Sequence, residues 1–588
     1  MAPRDNAGAG SLNRVCSPMN LSPTLSILIL ALSQPAVRAA GPEAVGVDQA
    51  GYRSGEPKDF RTSLPAAGFT LLNADGKGVF SGRLRGPVAD RFSGGAVWIG
   101  DFSEVGAAGT YTIRLPDGTV SWPFAIGDQP YREVLWAALT GLYASRCGHA
   151  VRETAVAHPP CHTKDGQFVL QDGRKIPDAR DVTGAWHNGG DYRRSTMSAS
   201  QTVSRILWPL ERYPGCYDTV PAVLAVEEGW GRQPDALAEA KWGLDWLMKL
   251  QFADGGVSIG LGPETNIMPP HVPPQSDVLL NCIGAAYTVH TAKAGAVLAR
   301  AARLLRERDP EYARRCLERA LACGQYLEKH PGVVAPPTCA TYGKKLDAPD
   351  RFWFAVEMFR TTGEERYHAA VKRAFAAMES PYPPAPVSTQ TIRDYNLHEA
   401  LISYCFLGAK ADPEIRRKIL AGLRADCERM TAATRARGYG NVLEEANWRQ
   451  RHTMGNTLQM AWELAMAWEL TGEISYRQTA LDQLHFILGR NPLGQVFVTG
   501  IGSNPVRSPH YRPFSIRQQA PPGLLVKGPT HDPQFLEKTF KGRAVPPPAK
   551  AYVDRNATHW CNEPDIEVQG HWIGMLAWSE ASAGRAIR

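Results

Sequence analysis

The stretch NTLQMAWELAMAWELTGEISYRQT, residues 456–479, decides the fold. Leu458, Ala461, Trp462 and Ala465 recur at three- and four-residue spacing, the pattern of a helix with a buried face. Gly472 then stops that helix, and a second one starts behind it. Roughly one hundred residues earlier, TTGEERYHAA from Thr361 repeats the same helix end, glycine stop and restart. DPEYARR from Asp309 and DPEIRRK from Asp412 each put Asp at an N-cap and Pro at the first helical position. DALAEAKWGLDWLMKLQ (235–251) and AKAGAVLARAARLLRER (292–308) carry the same apolar spacing. From Tyr131 onward the chain therefore reads as repeated helical hairpins, which form a solenoid or close into an α/α barrel. Periodicity does not choose between them.

Before Tyr131 the pattern is β. GTYTIRL (109–115) alternates with period two, and GFTLLNADGKGVFSGRL (68–84) sets turn residues between short apolar runs. Such runs between Val45 and Gly127 predict a small β-sandwich. GDQPYREV (127–134) marks the change to helix.

The chain's 588 residues are too many for one ordinary domain. The net charge of +7 comes from 65 Lys and Arg against 58 Asp and Glu, with no basic block, so nucleic acid is not an expected partner. Fifteen Trp and nineteen Tyr suit sugar stacking as well as cores. Arg4 and Arg14 precede the apolar run LSPTLSILILALS (21–33), and Val37 and Ala39 are small residues at signal-peptidase positions. This predicts an export signal over residues 1–39, with Met19 as an alternative start and an uncleaved anchor as the rival reading. A secreted or periplasmic protein follows, a monomer with no membrane partner once the signal is removed. Ten of the eleven Cys lie beyond the signal; Cys316, Cys323 and Cys405 fall in helical patterns as buried thiols.

Four clusters could carry chemistry. In DVTGAWHNGGDYRRS (181–195), three glycines shape a turn that presents Asp191 as a base; the plainer reading makes Asp191 a helix cap. In HWCNEPDIEVQGHW, Glu563 is an acid candidate whose apolar and aromatic neighbours would raise its pKa, with Asp565 and Glu567 as rivals and an Asn562-capped helix start as the plainer reading. Cys147, Cys161, His162 and His187 make a Cys2His2 set suited to tetrahedral zinc, or else a Cys147–Cys161 disulfide with two unrelated histidines. In SPHYRPFS, His510 and Arg512 lie in an irregular stretch, 495–529, long enough to be functional, and could bond sugar hydroxyls.

Together these segments resemble glycoside hydrolase family 9, the inverting cellulases, over nearly the whole mature chain. VGVDQAGYRSGEPKDF resembles the first strand of the family's N-terminal immunoglobulin-like domain, and LYASRCG with PPCHTKDG the start of its catalytic domain. GAWHNGGDYRRS is similar to G-W-H-D-A-G-D-Y, SPHYRP to the segment ending P-H-H-R, PGLLVKGP to P-G-x-L-x-G-G-P, and NEPDI to the Asn-Glu acid motif. The resemblance implies an immunoglobulin-like β-sandwich (40–128) followed by an all-α (α/α)6 barrel (129–588). It implies Asp191 as the base that activates water and Glu563 as the acid, ~6.5–9.5 Å apart as inversion requires. His510 and Arg512, with Tyr192 and Trp186, become sugar-binding residues. The Cys/His set becomes a structural zinc site bracing the catalytic loop.

Three departures stand out. Asn188 replaces the first Asp of the pattern, which removes like-charge repulsion and should make Asp191 ionise more easily. Asp235 and Glu239 persist, but Ala238 replaces an acidic residue, so any calcium site in this segment is weakened. Gln569 and Gly570 alter the expected sugar-facing wall near Glu563. The implied activity is acid/base hydrolysis of β-1,4-glucan, of soluble or partly degraded kind because no separate carbohydrate-binding module is evident. The rivals are an exo-acting β-glucosidase or glucosaminidase of the same fold and a non-catalytic glycan-binding protein.

Overall fold

The computed structural model describes residues 40–152, 154–218, 235–265, 271–335, 346–383 and 396–584. The signal-peptide expectation, residues 1–39, lies outside them. The described residues belong to one compact unit.

Eight strands come first: β1 (Val45–Gly46), β2 (Tyr52–Arg53), β3 (Asp59–Thr62), β4 (Gly68–Asn73), β5 (Gly78–Asp90), β6 (Gly95–Asp101), β7 (Gly109–Arg114) and β8 (Phe124–Gly127). Their order is β1-β3-β6-β5-β4-β7-β8-β2. Strand β5 belongs to both halves: Gly78–Arg83 pairs with β4, and Leu84–Asp90 pairs with β6. The two halves close over Phe60, Phe69, Leu71, Tyr111, Ile113 and Phe124, the inward residues of alternating strands.

The rest is an (α/α)6 barrel. Its outer helices are α1 (Arg132–Tyr143), α3 (Asp235–Lys249), α5 (Pro310–Lys329), α7 (Glu365–Ala376), α9 (Pro413–Ala436) and α11 (Ile474–Ile487). Its inner helices are α2 (Thr196–Leu207), α4 (Thr288–Leu304), α6 (Ala348–Thr362), α8 (Asn396–Cys405), α10 (Thr453–Thr471) and α12 (Ile566–Ala581). The two rings differ as their positions require. In α9 only one face is buried, along Ile415, Ile419, Leu423, Cys427 and Met430, whereas every residue of α2 is buried. α12 packs back on α2 so closely that a Cβ on Gly570 would lie 2.6 Å from Thr202 Cα, and this contact closes the inner ring. The local signals hold: Asp309 and Asp412 accept N–H groups of their own first turns, and Gly363 and Gly472 end helices with φ of 73° and 76°.

The β-domain is fastened to the barrel by buried polar contacts. The Asp48 carboxylate accepts Tyr131 O–H (2.8 Å) and lies 2.8 Å from His485 Nδ1. Arg61 donates to the Gly438 carbonyl (2.7 Å), and Asp90 accepts Tyr439 N–H (2.9 Å). Among the described residues no helix is long and apolar enough to cross a membrane. The nine described cysteines are buried and free.

A small sheet braces one end of the barrel. It runs β10 (Arg174–Pro177), β9 (Phe168–Gln171), β13 (Asn281–Gly284), β12 (Gly260–Pro263), β11 (Arg194–Ser195). Strand β11 directly follows the Asp191 turn.

Candidate active site

The Asp191 turn is tied down at both ends. On one side Cys147 N–H donates to the Ala185 carbonyl (2.9 Å) and His187 N–H to the Ser145 carbonyl (2.7 Å). On the other, buried Arg194 pairs with Asp165 and donates to the Val182 carbonyl (3.1 Å). Between them Asn188 N–H donates to the Arg193 carbonyl (2.8 Å), which folds residues 188–193 into a tight loop. Gly189, at φ 73°, takes the left-handed bend. At Gly190 a Cβ would lie 2.6 Å from His510 Cδ2 and 3.0 Å from Glu563 Oε1, so only glycine lets these groups meet.

Asp191 does not cap a helix. Helix α2 starts at Thr196 with Ser195 as N-cap, and Asp191 accepts Arg193 N–H instead (3.0 Å). Its side chain is 16% exposed, with Arg193 Nε 3.8 Å away. Burial pushes its carboxyl up to about 6; the nearby Glu563 charge adds to this, and Arg193 and Arg512 oppose it. Desolvation sets this rise; Asn188 adds no charge to it, where an Asp at that position would add like-charge repulsion. Asn188 itself is buried, and its Oδ1 has no protein hydrogen-bond partner.

Glu563 lies between a short helix (His559–Asn562) and α12, in extended backbone. Asn562 ends the first helix and does not cap the second. Glu563 Oε1 accepts Gly190 N–H (2.9 Å), and Oε2 pairs with the Lys527 ammonium. Beside the apolar and aromatic neighbours expected from the sequence, a cation and a backbone donor engage its two oxygens. Of its rivals, Glu567 is buried within α12, and buried Asp565 lies 3.1 Å from His452 Nδ1 and 3.6 Å from Lys527 Nζ. Glu563 is the partly exposed member of the three.

His510, half-buried, is oriented by the Asn556 carbonyl and stands against Gly190. Arg512 is buried over the Tyr192 ring, and its Nε and Nη1 have no protein hydrogen-bond partner. Trp186 and Tyr192 do not reach a sugar. Trp186 is fully buried and donates to Glu239 (2.7 Å); Tyr192 is 1% exposed and donates to the Val272 carbonyl (2.7 Å). Both aromatics support the loop from beneath. Glu239 is committed as well: it forms a fully buried ion pair with Arg146 (2.9 Å) and accepts Trp186 Nε1–H, so both its oxygens are engaged within the protein. Gln569 and Gly570 are buried and form no sugar-facing wall: Gln569 donates to the Ala138 and Gly523 carbonyls and accepts Leu525 N–H.

Cys147, Cys161, His162 and His187 converge, all buried, with their ligand atoms within 4.8 Å of one another. The two sulfurs are 3.9 Å apart and unbonded; His187 Nε2 is 3.5 Å from Cys161 Sγ, and His162 Nδ1 is 3.6 Å from Cys147 Sγ. A tetrahedral ion with bonds of ~2.0–2.3 Å has edges of about 3.3–3.8 Å, so the set fits one. Asp277 lies 3.5 Å from the other nitrogen of His162, as an orienting carboxylate would.

The model of glycosyl hydrolase family 9 matches residues 131–576, and that of the cellulase N-terminal ig-like domain matches residues 40–120. The chain belongs to glycoside hydrolase family 9. It is a glycoside hydrolase, with an immunoglobulin-like domain ahead of the family's barrel. A metagenome-derived family 9 endoglucanase of known structure is 31% identical, with a TM-score of 0.83 over 92% of this chain and 99% of that one. A zinc-binding triple mutant of the family 9 endoglucanase J30 is 28% identical, with a TM-score of 0.81 over 89% and 99%. Cellodextrinase of Butyrivibrio fibrisolvens is 26% identical over 91% of this chain and 98% of that protein. Endoglucanase D of Acetivibrio thermocellus is 26% identical over 80% and 74%.

One site residue escapes the sequence reading. Lys527, the contact of Glu563, stands in PGLLVKGP where the resembled pattern P-G-x-L-x-G-G-P has glycine. A charge in place of a glycine beside an active-site motif was the available signal.

Proposed function

We propose that this protein is an exported, inverting endo-β-1,4-glucanase. Asp191 is the base that takes a proton from the attacking water. Glu563 is the acid that protonates the leaving glycosidic oxygen. The observation that carries this reading is the placement of the Glu563 carboxyl on Gly190, the residue next to Asp191, so that one loop sets both carboxyls. Asp191, held up to about 6 by burial, is a stronger base than a free carboxylate and is ionised above that pH.

Arg512 and His510 orient the sugar; the buried Nε and Nη1 of Arg512 lack protein partners and suit sugar hydroxyls. Asn188 tunes the water site by hydrogen bonding without charge. The Cys/His set holds structural zinc. Four protein ligands close its shell, so the ion would cross-link the Cys147, Cys161–His162 and His187 segments and leave the chemistry to the carboxyls. The names of the relatives, endoglucanases and a cellodextrinase, support a β-1,4-glucan substrate.

The purified protein should release a ladder of oligomers from soluble β-1,4-glucan, with none from Asp191→Ala. A single small product would make it exo-acting. Glycan binding without turnover, unchanged in Glu563→Gln, would make it a binding protein.

A further inference from the structure

Both Glu563 oxygens are engaged by donors: Gly190 N–H on Oε1 and the Lys527 ammonium on Oε2. A carboxylate accepts both. A carboxylic acid has no charge and carries an O–H that needs an acceptor, so the oxygen facing Lys527 loses its ion pair and holds the ammonium only weakly. Gly190 belongs to a loop fixed by backbone bonds. Lys527 is different. Its backbone is pinned, its N–H donating to the Glu563 carbonyl (3.1 Å) and its carbonyl accepting Met454 N–H (2.9 Å), but its side chain is a flexible four-carbon stem. Its ammonium already has a second carboxylate within reach, Asp565 Oδ2 at 3.6 Å, which His452 Nδ1 also approaches at 3.1 Å. The other charged or titratable groups facing Glu563 are Asp191 from the base loop and His559 one turn upstream, with Arg451 and His510 beyond His559.

We propose that Lys527 is a positioning switch for the acid: it grips the Glu563 carboxylate in the resting enzyme and turns to Asp565 when Glu563 is protonated. The proposal rests on Glu563 being the acid. In a turnover the glycosidic C–O bond breaks and the Glu563 proton goes to the leaving oxygen. Water's oxygen bonds the anomeric carbon, and its proton goes to Asp191. Lys527 then clasps the new Glu563 carboxylate until solvent restores its proton and Asp191 returns one. The switch thereby ties the acid's readiness to the position of one ammonium.

The test compares Lys527→Met, Lys527→Arg and Asp565→Asn with the wild-type protein. Two readouts are taken: the pH profile of kcat/KM on soluble β-glucan, and a pH titration of the Glu563 carboxyl by 13C NMR, assigned by its loss in Glu563→Gln. Without the cation the neutral acid survives to higher pH. In Lys527→Met the alkaline limb and the NMR midpoint should both rise by about one to three pH units. Lys527→Arg should stay near wild type, and Asp565→Asn, which leaves the ammonium on Glu563, should shift both downward. Midpoints that coincide in wild type and Lys527→Met would overturn the proposal, and so would an Asp565→Asn midpoint that does not fall. Wild-type turnover by Glu563→Gln would overturn the acid assignment, and the switch with it, even where the NMR midpoint moves.

Discussion

Gly190 N–H donates to Glu563 Oε1 at 2.9 Å, so the loop that presents Asp191 also holds the opposing carboxyl. The two groups are 373 residues apart in sequence and share one backbone bond. Changes to this loop should therefore affect acid and base together.

Asp191 gives the clearest pH signature. As a base it must be ionised, so kcat/KM should fall as pH drops through about 6. A profile flat down to pH 4 would contradict this.

The same carboxyl has a stability cost whose sign is fixed. Its folded pKa of about 6 lies above its ordinary 3.8, so below both values it contributes nothing. As pH rises through that window the folded state holds the proton longer, and above it the buried charge costs about 3 kcal/mol. Asp191→Asn should thus be inactive yet more stable than wild type at pH 8, with the gain vanishing near pH 3. Chemical denaturation at both pH values measures it. Equal stabilities at pH 8 would show that burial does not strain this group.

Much of the fold is legible in the sequence because its signals are local. Asp309 with Pro310, Asp412 with Pro413, and the stops at Gly363 and Gly472 act through their own turns. The Asp191 turn and the His510–Arg512 segment are legible through their motifs. Burial is not local. Trp186 and Tyr192 look like sugar platforms, but lie beneath the loop because Glu239 and the Val272 carbonyl take their polar atoms. Every residue of polar α2 is buried because it stands in the inner ring. Lys527 meets Glu563 only through the tertiary fold.

Asn188→Asp would add a carboxylate within residues 188–193. Like-charge repulsion should move the acid limb upward by about one pH unit and raise turnover at pH 8. No change in either would mean that Asn188 does not tune Asp191.

Glu239 should be structural. Glu239→Ala strands the Arg146 guanidinium in a fully buried site and should cost about 3 kcal/mol or more. Added calcium should leave the wild-type Tm unmoved. A calcium-dependent Tm lost in Glu239→Ala would support the calcium reading.

The metal set predicts one zinc per chain by elemental analysis. Asp277→Ala, which removes the carboxylate beside His162, should weaken zinc binding about 10–100-fold. Undiminished zinc in Cys161→Ser would rule out this site.

The central claim, a single displacement by water with Asp191 as base and Glu563 as acid, is tested most directly by 1H NMR of the first products from a soluble β-1,4-glucan oligomer. The α-anomer should appear first in wild type, with no product from Asp191→Ala. A β-anomer appearing first, or equal turnover in the variant, would contradict it.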